Sequence, residues 1–456
     1  MKENTIAAIA TAPGVGGIGI IRVSGEEAFS VVAKIFRPKD ASFNLLAPKA
    51  NIMKYGYIMD GETKIDEVMV SFFRAPHSYT TENVAEINCH GGIVILNRIL
   101  SKVIEAGARI AEPGEFTKRA FLNGRIDLAQ AESIIDLITS KTDLARQIAA
   151  KQLDGFLSSK LKEIKTDIYD VLIQIEAGID YPEHEIEEVT REKLQSVLEN
   201  AKNSLAQMYA SFEQGRIIKE GVRTVILGKP NVGKSSLMNT LLKEERAIVT
   251  DIPGTTRDTI EEVVNLRGIP LRIVDTAGIR ETTDKIEEIG VNKAKSEIAQ
   301  ADMIIAVFDI SRDLTEEDYE IIELIKDKKS IVIVNKVDLE EQWNPKEIFK
   351  NQKILNLSAK NKIGLEDLEE EIESLWRNND FSTGEDVILS NLRHKNLVYN
   401  ALNEIDSALD ALKLDLPVDL ISINIKSLLD NLGEITGENV NDEVINGIFS
   451  RFCLGK

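Results

Sequence analysis

Val225-Ile226-Leu227-Gly228-Lys229-Pro230-Asn231-Val232-Gly233-Lys234-Ser235-Ser236 is the stretch on which the reading of this chain turns. Val225–Leu227 reads as a short buried strand, and Leu237, Met238, Leu241 and Leu242 then repeat at helical spacing. A glycine-rich turn between a strand and a helix is the setting of a phosphate-binding loop. Gly228 and Gly233 permit the tight turn that aims successive N–H groups, Asn231 through Ser236 among them, at phosphate oxygens. The helix start adds the positive end of its dipole. Lys234 is placed to reach the outer phosphates, and Ser235 to put its hydroxyl on a magnesium ion. The competing reading is an ordinary strand–turn–helix, which these flanks disfavour.

Working outward, Ile331–Val334 reads as a strand that ends in Asn335-Lys336-Val337-Asp338. The Asp338 carboxylate can accept from N1–H and the exocyclic amine of guanine, whereas adenine has no such donor pair. At about 1.5–3 kcal/mol per charged hydrogen bond, two of them discriminate strongly. Ser358-Ala359-Lys360, after the strand-like Ile354–Leu357, can close over the base. Asp275-Thr276-Ala277-Gly278 follows another apolar run, Leu271–Val274. There Asp275 can hold magnesium through water and the Gly278 N–H can sense a γ-phosphate. Gly254-Thr255-Thr256-Arg257-Asp258 supplies Thr256 as a second magnesium ligand. In chain order the phosphate loop, Gly254–Asp258, Asp275–Gly278, Asn335–Asp338 and Ser358–Lys360 read as a GTPase domain of the translation-factor-related class.

Length and composition bound the rest. A chain of 456 residues suggests about three domains. The 43% apolar content suffices for real cores, and the net charge of −20 argues against a protein that coats nucleic acid. The first 120 residues are near neutral, so the acidity lies downstream. Any RNA contact must use local patches. Two cysteines, Cys89 and Cys453, exclude a disulfide scaffold and fit a reducing cytoplasm. The first residues lack the pattern of a signal peptide, and no apolar run approaches a membrane span. A cytoplasmic protein without membrane attachment is expected.

In chain order, residues 1–120 read as an α+β unit. Strands are expected at Ile6–Ala10, Ile18–Val23, Tyr55–Met59, Glu67–Phe73 and Val84–Asn88, with a helix at Ile93–Glu105. The glycines of Pro13–Gly17 could bind phosphate, but a plain turn is the favoured reading. Residues 121–217 are mostly helical: Leu157, Leu161, Ile164, Ile168, Leu172 and Ile175 share a face, Tyr181–His184 breaks the helix, and Glu185–Glu188 reads as a solvated run. Residues 218–380 form the GTPase domain, whose acidic helix around Glu366–Glu373 reads as an exposed amphipathic face. Residues 381–456 are helical again, with Pro417 separating two helices and Val444, Ile448, Phe449 and Phe452 marking a last one. Helices on either side of the GTPase domain suggest one discontinuous bundle into which that domain is inserted.

The whole arrangement resembles the MnmE (TrmE) family of tRNA-modification GTPases. The likeness rests on Thr11–Gly25, Ser78–Gly92, Pro113–Glu132, the nucleotide motifs and the terminal Cys453-Leu454-Gly455-Lys456. It implies a multidomain α+β and α/β protein: an N-terminal folate-binding and dimerisation domain, a discontinuous helical bundle and an inserted Ras-like P-loop domain. It implies a homodimer, a flavoprotein partner (MnmG) in a heterotetramer-type complex, and tRNA carrying an aminomethyl-type group, such as carboxymethylaminomethyl, at C5 of the wobble uridine. It implies a reduced folate near 5-formyltetrahydrofolate, held by Arg22, Glu86, Arg125 and Lys456. Arginine and lysine suit the folate carboxylates, and Glu86 suits the amino-pterin edge.

Many GTPases orient water with a glutamine after the Asp-x-x-Gly motif. Here that position is Ile279, which cannot polarise water. The resemblance assigns the role to Glu287, with Glu288 its near neighbour. It also implies a potassium ion in place of an arginine finger, held by Asn231 and by Thr250, Ile252 and Thr255 of the nucleotide-facing loop Thr250-Asp251-Ile252-Pro253-Gly254-Thr255-Thr256. Two GTPase domains would meet across that face. Arg257 and Arg280 are alternative cation sources. Both cysteines read as positional rather than covalent, and Cys89 with His90 does not make a metal site. A regulatory switch of the ribosome-assembly kind, with no base altered, and a one-carbon-transfer protein that GTP only regulates stand as the other readings.

Overall fold

The computed structural model describes residues 4–49, 51–180, 191–244, 261–267, 269–274, 297–350, 352–377 and 387–456. The chain divides into two compact units, one of residues 1–135, 152–197 and 403–456, the other of residues 136–151 and 198–402.

In the first unit, strands β1 (Ile6–Ile9), β2 (Ile18–Ser24), β3 (Phe36–Pro38), β4 (Ile52–Asp60), β5 (Thr63–Phe73), β6 (Val84–His90) and β7 (Arg109–Ile110) form one sheet in the order β3-β4-β5-β6-β2-β1-β7. All neighbours are antiparallel except β1 and β7. The period-two alternation of β2 and β5 turns Ile21, Val23, Val68, Val70 and Phe72 to one face. The helices Ala28–Ile35 and Ile93–Glu105 cover that face with Phe29, Val32, Leu96 and Ile99. Each fully buried side chain of this size contributes about 1.5–3 kcal/mol. Toward the other side Ile6, Ala8, Ala111 and Phe116 form a smaller cluster, against which Tyr79 packs.

In the same unit the helices Phe156–Asp180 and Val418–Thr436 pack together. Leu157, Leu161, Ile168, Leu172 and Ile175 are buried at the expected spacing. Lys165 is buried too: its stem lies along the core while its ammonium pairs with Glu438. Pro417 precedes the second helix as its N-cap residue. The last helix, Asp442–Phe449, buries Ile445 and Phe449, so Ile445 joins the face that the spacing had given to Val444 and Ile448.

The second unit holds a six-stranded sheet of β8 (Val222–Leu227), β9 (Glu261–Leu266), β10 (Ile269–Val274), β11 (Met303–Asp309), β12 (Ser330–Asn335) and β13 (Lys353–Leu357), in the order β13-β12-β11-β8-β10-β9. Only the β9–β10 pair is antiparallel. Two apolar clusters lie on its faces, one around Leu237, Leu271, Ile333 and Leu368, the other around Val225, Phe308, Ile325 and Val334. Burial on both faces explains the unbroken apolar runs of β11 and β12. The strand order reverses between β8 and β11, and ligands bind outside the carboxyl ends of strands at such a point.

The helix Leu365–Arg377 buries Leu365, Leu368 and Ile372. Its acidic face is not simply solvated: Glu369 and Glu373 both lie 3.2 Å from the Arg267 guanidinium. In the helical part of this unit, Ser211 Oγ donates to Val387 O and accepts from Leu389 N–H. Arg216 grips Asp302 through both terminal nitrogens, at 2.8 and 3.3 Å.

Candidate functional site

The loop after β8 leads into the helix Lys234–Glu244. Asn231 adopts a left-handed backbone, φ 64°, which asparagine tolerates better than most residues. Gly233 has φ 105°, and a Cβ there would stand 2.1 Å from Asn335 Nδ2. Only glycine lets the loop after β8 approach the end of β12 so closely. Lys234 Nζ donates to Gly228 O at 2.7 Å and Lys229 O at 2.8 Å, folding back over the loop it belongs to. Asn231 is exposed on the loop, Ser235 and Ser236 are exposed in the first turn of the helix, and Val232 is buried.

Asn335, at the end of β12, joins three segments. Its Nδ2 donates to Val232 O at 2.7 Å, and its Oδ1 accepts from Ala359 N–H at 3.1 Å. The side chain is buried, where each such bond matters more because water cannot replace it. Ser358 Oγ donates to Asp338 Oδ1 at 2.6 Å, and this bond, with Lys360 and Lys336 nearby, holds the Asp338 carboxyl below the usual carboxylate range. Asp338 is therefore an acceptor at neutral pH, with its second oxygen available to a donor pair. The residues expected to bind phosphate and guanine are thus brought to one edge of the sheet: Asn231–Ser236, Asn335, Lys336, Asp338 and Ser358–Lys360. Thr250–Thr256, Asp275–Gly278 and Glu287 lie outside the described residues, as do the expected helix break at Tyr181–His184 and the charge run Glu185–Glu188.

The other expected constellation lies in the first unit. Arg22 points from β2, pairs through Nε with Glu86 Oε1 of β6 at 2.8 Å, and donates from Nη1 to Gly455 O at 3.2 Å. Register explains the pair, since Arg22 and Glu86 are directly opposite on neighbouring antiparallel strands. The Arg22 guanidinium lies 5.0 Å from the Tyr79 ring centre, and the Arg125 guanidinium 4.6 Å from the same ring. Tyr79 was not singled out from the sequence, yet its ring meets both arginines, and its hydroxyl shares a 2.9 Å hydrogen bond with Thr117 Oγ1. Such cation–ring contacts contribute about 0.5–1 kcal/mol each.

The C-terminal segment completes this cluster. Phe116 N–H donates to Lys456 O at 3.2 Å. Gly455 has φ 88°, and a Cβ there would meet Ile9 O at 2.3 Å and Ala10 Cα at 2.9 Å. Burial and the positive charge of Arg22 lower the pKa of the Lys456 ammonium, against the opposing pull of Cys453 and Glu86. A half-buried ammonium beside guanidinia, with one carboxylate, forms a donor set that suits an anionic ligand with an amine edge.

The cysteines part company. Cys89 is buried in β6 and donates to Gly19 O, and burial with the Asp66 charge pushes its thiol up to about 11. The adjacent His90 ring turns to Asp66 Oδ1, 2.7 Å away. Cys453 is exposed, while its carbonyl accepts from Gly114 and Lys456 N–H groups.

Residues 5–125 match the family model for the GTP-binding protein TrmE N-terminus, and residues 128–453 the model for the MnmE helical domain. A protein of Thermoanaerobacter pseudethanolicus named tRNA modification GTPase MnmE is 50% identical over 461 residues, covering 100% of both chains. One of the same name from Clostridioides difficile is 47% identical over 457 residues, covering 100% of this chain and 99% of its own. Among solved structures, the G domain of the T. maritima FeoB iron transporter is 26% identical, covers 34% of this chain and 97% of its own, and superposes with a TM-score of 0.27. By both domain matches and full-length identity, this chain belongs to the MnmE family of tRNA modification GTPases.

Proposed function

We propose that the chain hydrolyses GTP to GDP and phosphate and, with a reduced folate and the flavoprotein MnmG, takes part in adding a carboxymethylaminomethyl-type group to C5 of the wobble uridine of certain tRNAs. The observation that carries the reading is the joining of Val232, Asn335 and Ala359 by one buried side chain, in a chain matched along its full length by relatives named tRNA modification GTPases. That bridge ties the proposed phosphate loop to the segments from which guanine would be read. Residues 1–120 would be the folate-binding and dimerisation domain, 218–380 the inserted GTPase domain, and 121–217 with 381–456 the helical domain. Among the described residues no helix is long and apolar enough to cross a membrane.

Ser235 and Thr256 would hold magnesium, which supplies charge neutralisation at the phosphates. Asn231 with Thr250, Ile252 and Thr255 would hold potassium, and Glu287 would orient water. Arg22, Arg125 and Lys456 would bind the carboxylates of 5-formyltetrahydrofolate or a related folate, and Glu86 its amino-pterin edge. The gathering of Arg22 and Arg125 at the Tyr79 ring, with Glu86 paired to Arg22, supports this.

The test is GTP hydrolysis in potassium against sodium at equal ionic strength, with tRNA nucleosides analysed from cells lacking the protein. Potassium-specific stimulation with loss of the modified uridine is the expected outcome. Equal rates in both salts would remove the potassium site, and unchanged nucleosides would remove the tRNA role.

A further inference from the structure

Behind the nucleotide edge runs a chain of polar side chains that no motif announces. Lys336 of the base loop donates its ammonium to Asp309 Oδ2 at the end of β11. Arg312 Nε lies 3.8 Å from that same oxygen, and Arg312 Nη2 lies 3.6 Å from Asp318 Oδ1. Asp318 Oδ2 accepts from Thr315 N–H at 2.9 Å, one leg of the capping box of the helix Glu316–Ile325, and also from the Thr315 hydroxyl at 3.0 Å. Thr315 Oγ1 in turn accepts from Lys229 Nζ, on the phosphate loop. Asp309 and Asp318 are 5% and 1% exposed, so both carboxylates are committed to these partners rather than to water.

We propose that Asp309 is a positioning residue of the guanine-nucleotide site: it fixes Lys336 of the base loop and, through Arg312, Asp318 and Thr315, ties that loop to Lys229 of the phosphate loop. The inference rests on the GTPase reading and deepens it. Two further observations support it. Lys336 has φ 65°, a left-handed backbone that a lysine adopts only when its surroundings hold it there. It also sits between Asn335, which bridges Val232 and Ala359, and Asp338, the candidate base reader. A side chain anchored by Asp309 therefore sets the path of the loop at the residue where the path is strained. Burial pushes the Asp309 carboxyl up, yet Lys336 and two hydrogen bonds from Ser311 outweigh it and keep the group below the ordinary range.

Asp309→Asn separates this role from local structure. Its Oδ1 can still accept from Ser311 N–H and Oγ, now at 3.0 and 2.7 Å, while the charge facing Lys336 is lost. The assay is the dissociation rate of a fluorescent N-methylanthraniloyl guanosine diphosphate from the full chain. Asp309→Asn is expected to speed release about tenfold, the size of one charge-assisted hydrogen bond partly open to solvent. Ser311→Ala, which keeps the charge, is expected to stay within about twofold of the parent. On a Lys336→Met background, Asp309→Asn should add nothing, and on a Lys229→Met background it should add less than on the parent. Multiplying effects in the Lys336 pair would overturn the positioning role, and multiplying effects in the Lys229 pair would overturn the link between loops. An unaltered release rate for Asp309→Asn would overturn both. A parent chain that does not bind the probe would instead overturn the GTPase reading itself.

Discussion

Replacing Gly455 by alanine is expected to unseat the C-terminal segment from the cluster around Tyr79. The new Cβ would stand 2.3 Å from Ile9 O and 2.9 Å from Ala10 Cα. Both are main-chain atoms of β1 or its immediate extension, so neither can swing aside as a flexible side chain would. Relief requires the segment to retreat by about 1 Å to reach ordinary contact. At that displacement the bonds from Arg22 Nη1 to Gly455 O and from Phe116 N–H to Lys456 O, both 3.2 Å, are lost. The left-handed φ of 88° costs alanine about 1 kcal/mol, the charged bond about 2 and the neutral one about 1. The sum of about 4 kcal/mol is close to a thousandfold in the docking equilibrium. Hydrogen exchange at the Phe116 amide reads this directly. Phe116 lies in the first turn of the helix Glu115–Leu122, where amides lack an intrahelical acceptor, so its protection depends on Lys456 O. Exchange should speed by up to that factor, and binding of 5-formyltetrahydrofolate should weaken in parallel. Gly447→Ala is the control: nothing lies within 4 Å of its added Cβ, and a helical Gly→Ala change stabilises by about 0.5–1 kcal/mol. A Gly455→Ala chain with parental Phe116 exchange and folate affinity would refute the steric argument.

Three further outcomes are expected. Asp338→Asn replaces a carboxylate acceptor by an amide and should weaken guanosine diphosphate binding by about a hundredfold or more in equilibrium titration; a change under about threefold would exclude Asp338 as the base reader. Glu287→Ala should abolish most GTP turnover while leaving nucleotide affinity near that of the parent, and full turnover in a phosphate-release assay would remove the assignment. In peptide-resolved iodoacetamide labelling at pH 8, Cys453 should react and Cys89 should not. The Cys89 thiol, pushed up to about 11, is thiolate in about one molecule per thousand at that pH, and its labelling should rise as the pH approaches 11. Equal labelling at pH 8 would contradict its burial.

The candidate nucleotide edge stood out because its expected chemistry is local. Gly228–Ser236 and Asn335–Asp338 are short runs whose spacing alone suggests a phosphate cradle and a base acceptor, and the strands before them announce themselves as apolar runs. The pairing of Arg22 with Glu86 was less so: each residue stood out by resemblance, but their contact depends on the register of β2 on β6. Tyr79 was missed because it lies in an irregular, polar stretch, Ser78-Tyr79-Thr80-Thr81, where no periodicity marks a packed ring. The helix Ala28–Ile35 also escaped, being eight residues long, too short for an apolar repeat to stand out. Asp309 gave no signal at all. It ends a strand that reads as core, and its importance lies in a lysine 27 positions later.

The seating of Gly455 beside Arg22 has a consequence for how the protein is made. The two residues are separated by 433 positions. At about 5–20 residues per second, a ribosome needs roughly 20–90 s to supply the second after the first. During that interval the strands of the N-terminal sheet can pair, but the carbonyl that Arg22 meets and the one that caps Phe116 have not been polymerised. The cluster around Tyr79 is therefore assembled only after residue 455 has been made. A truncated chain would carry Arg22 and Arg125 without their last neighbour, and premature termination would leave an unfinished cationic patch in place of a finished site.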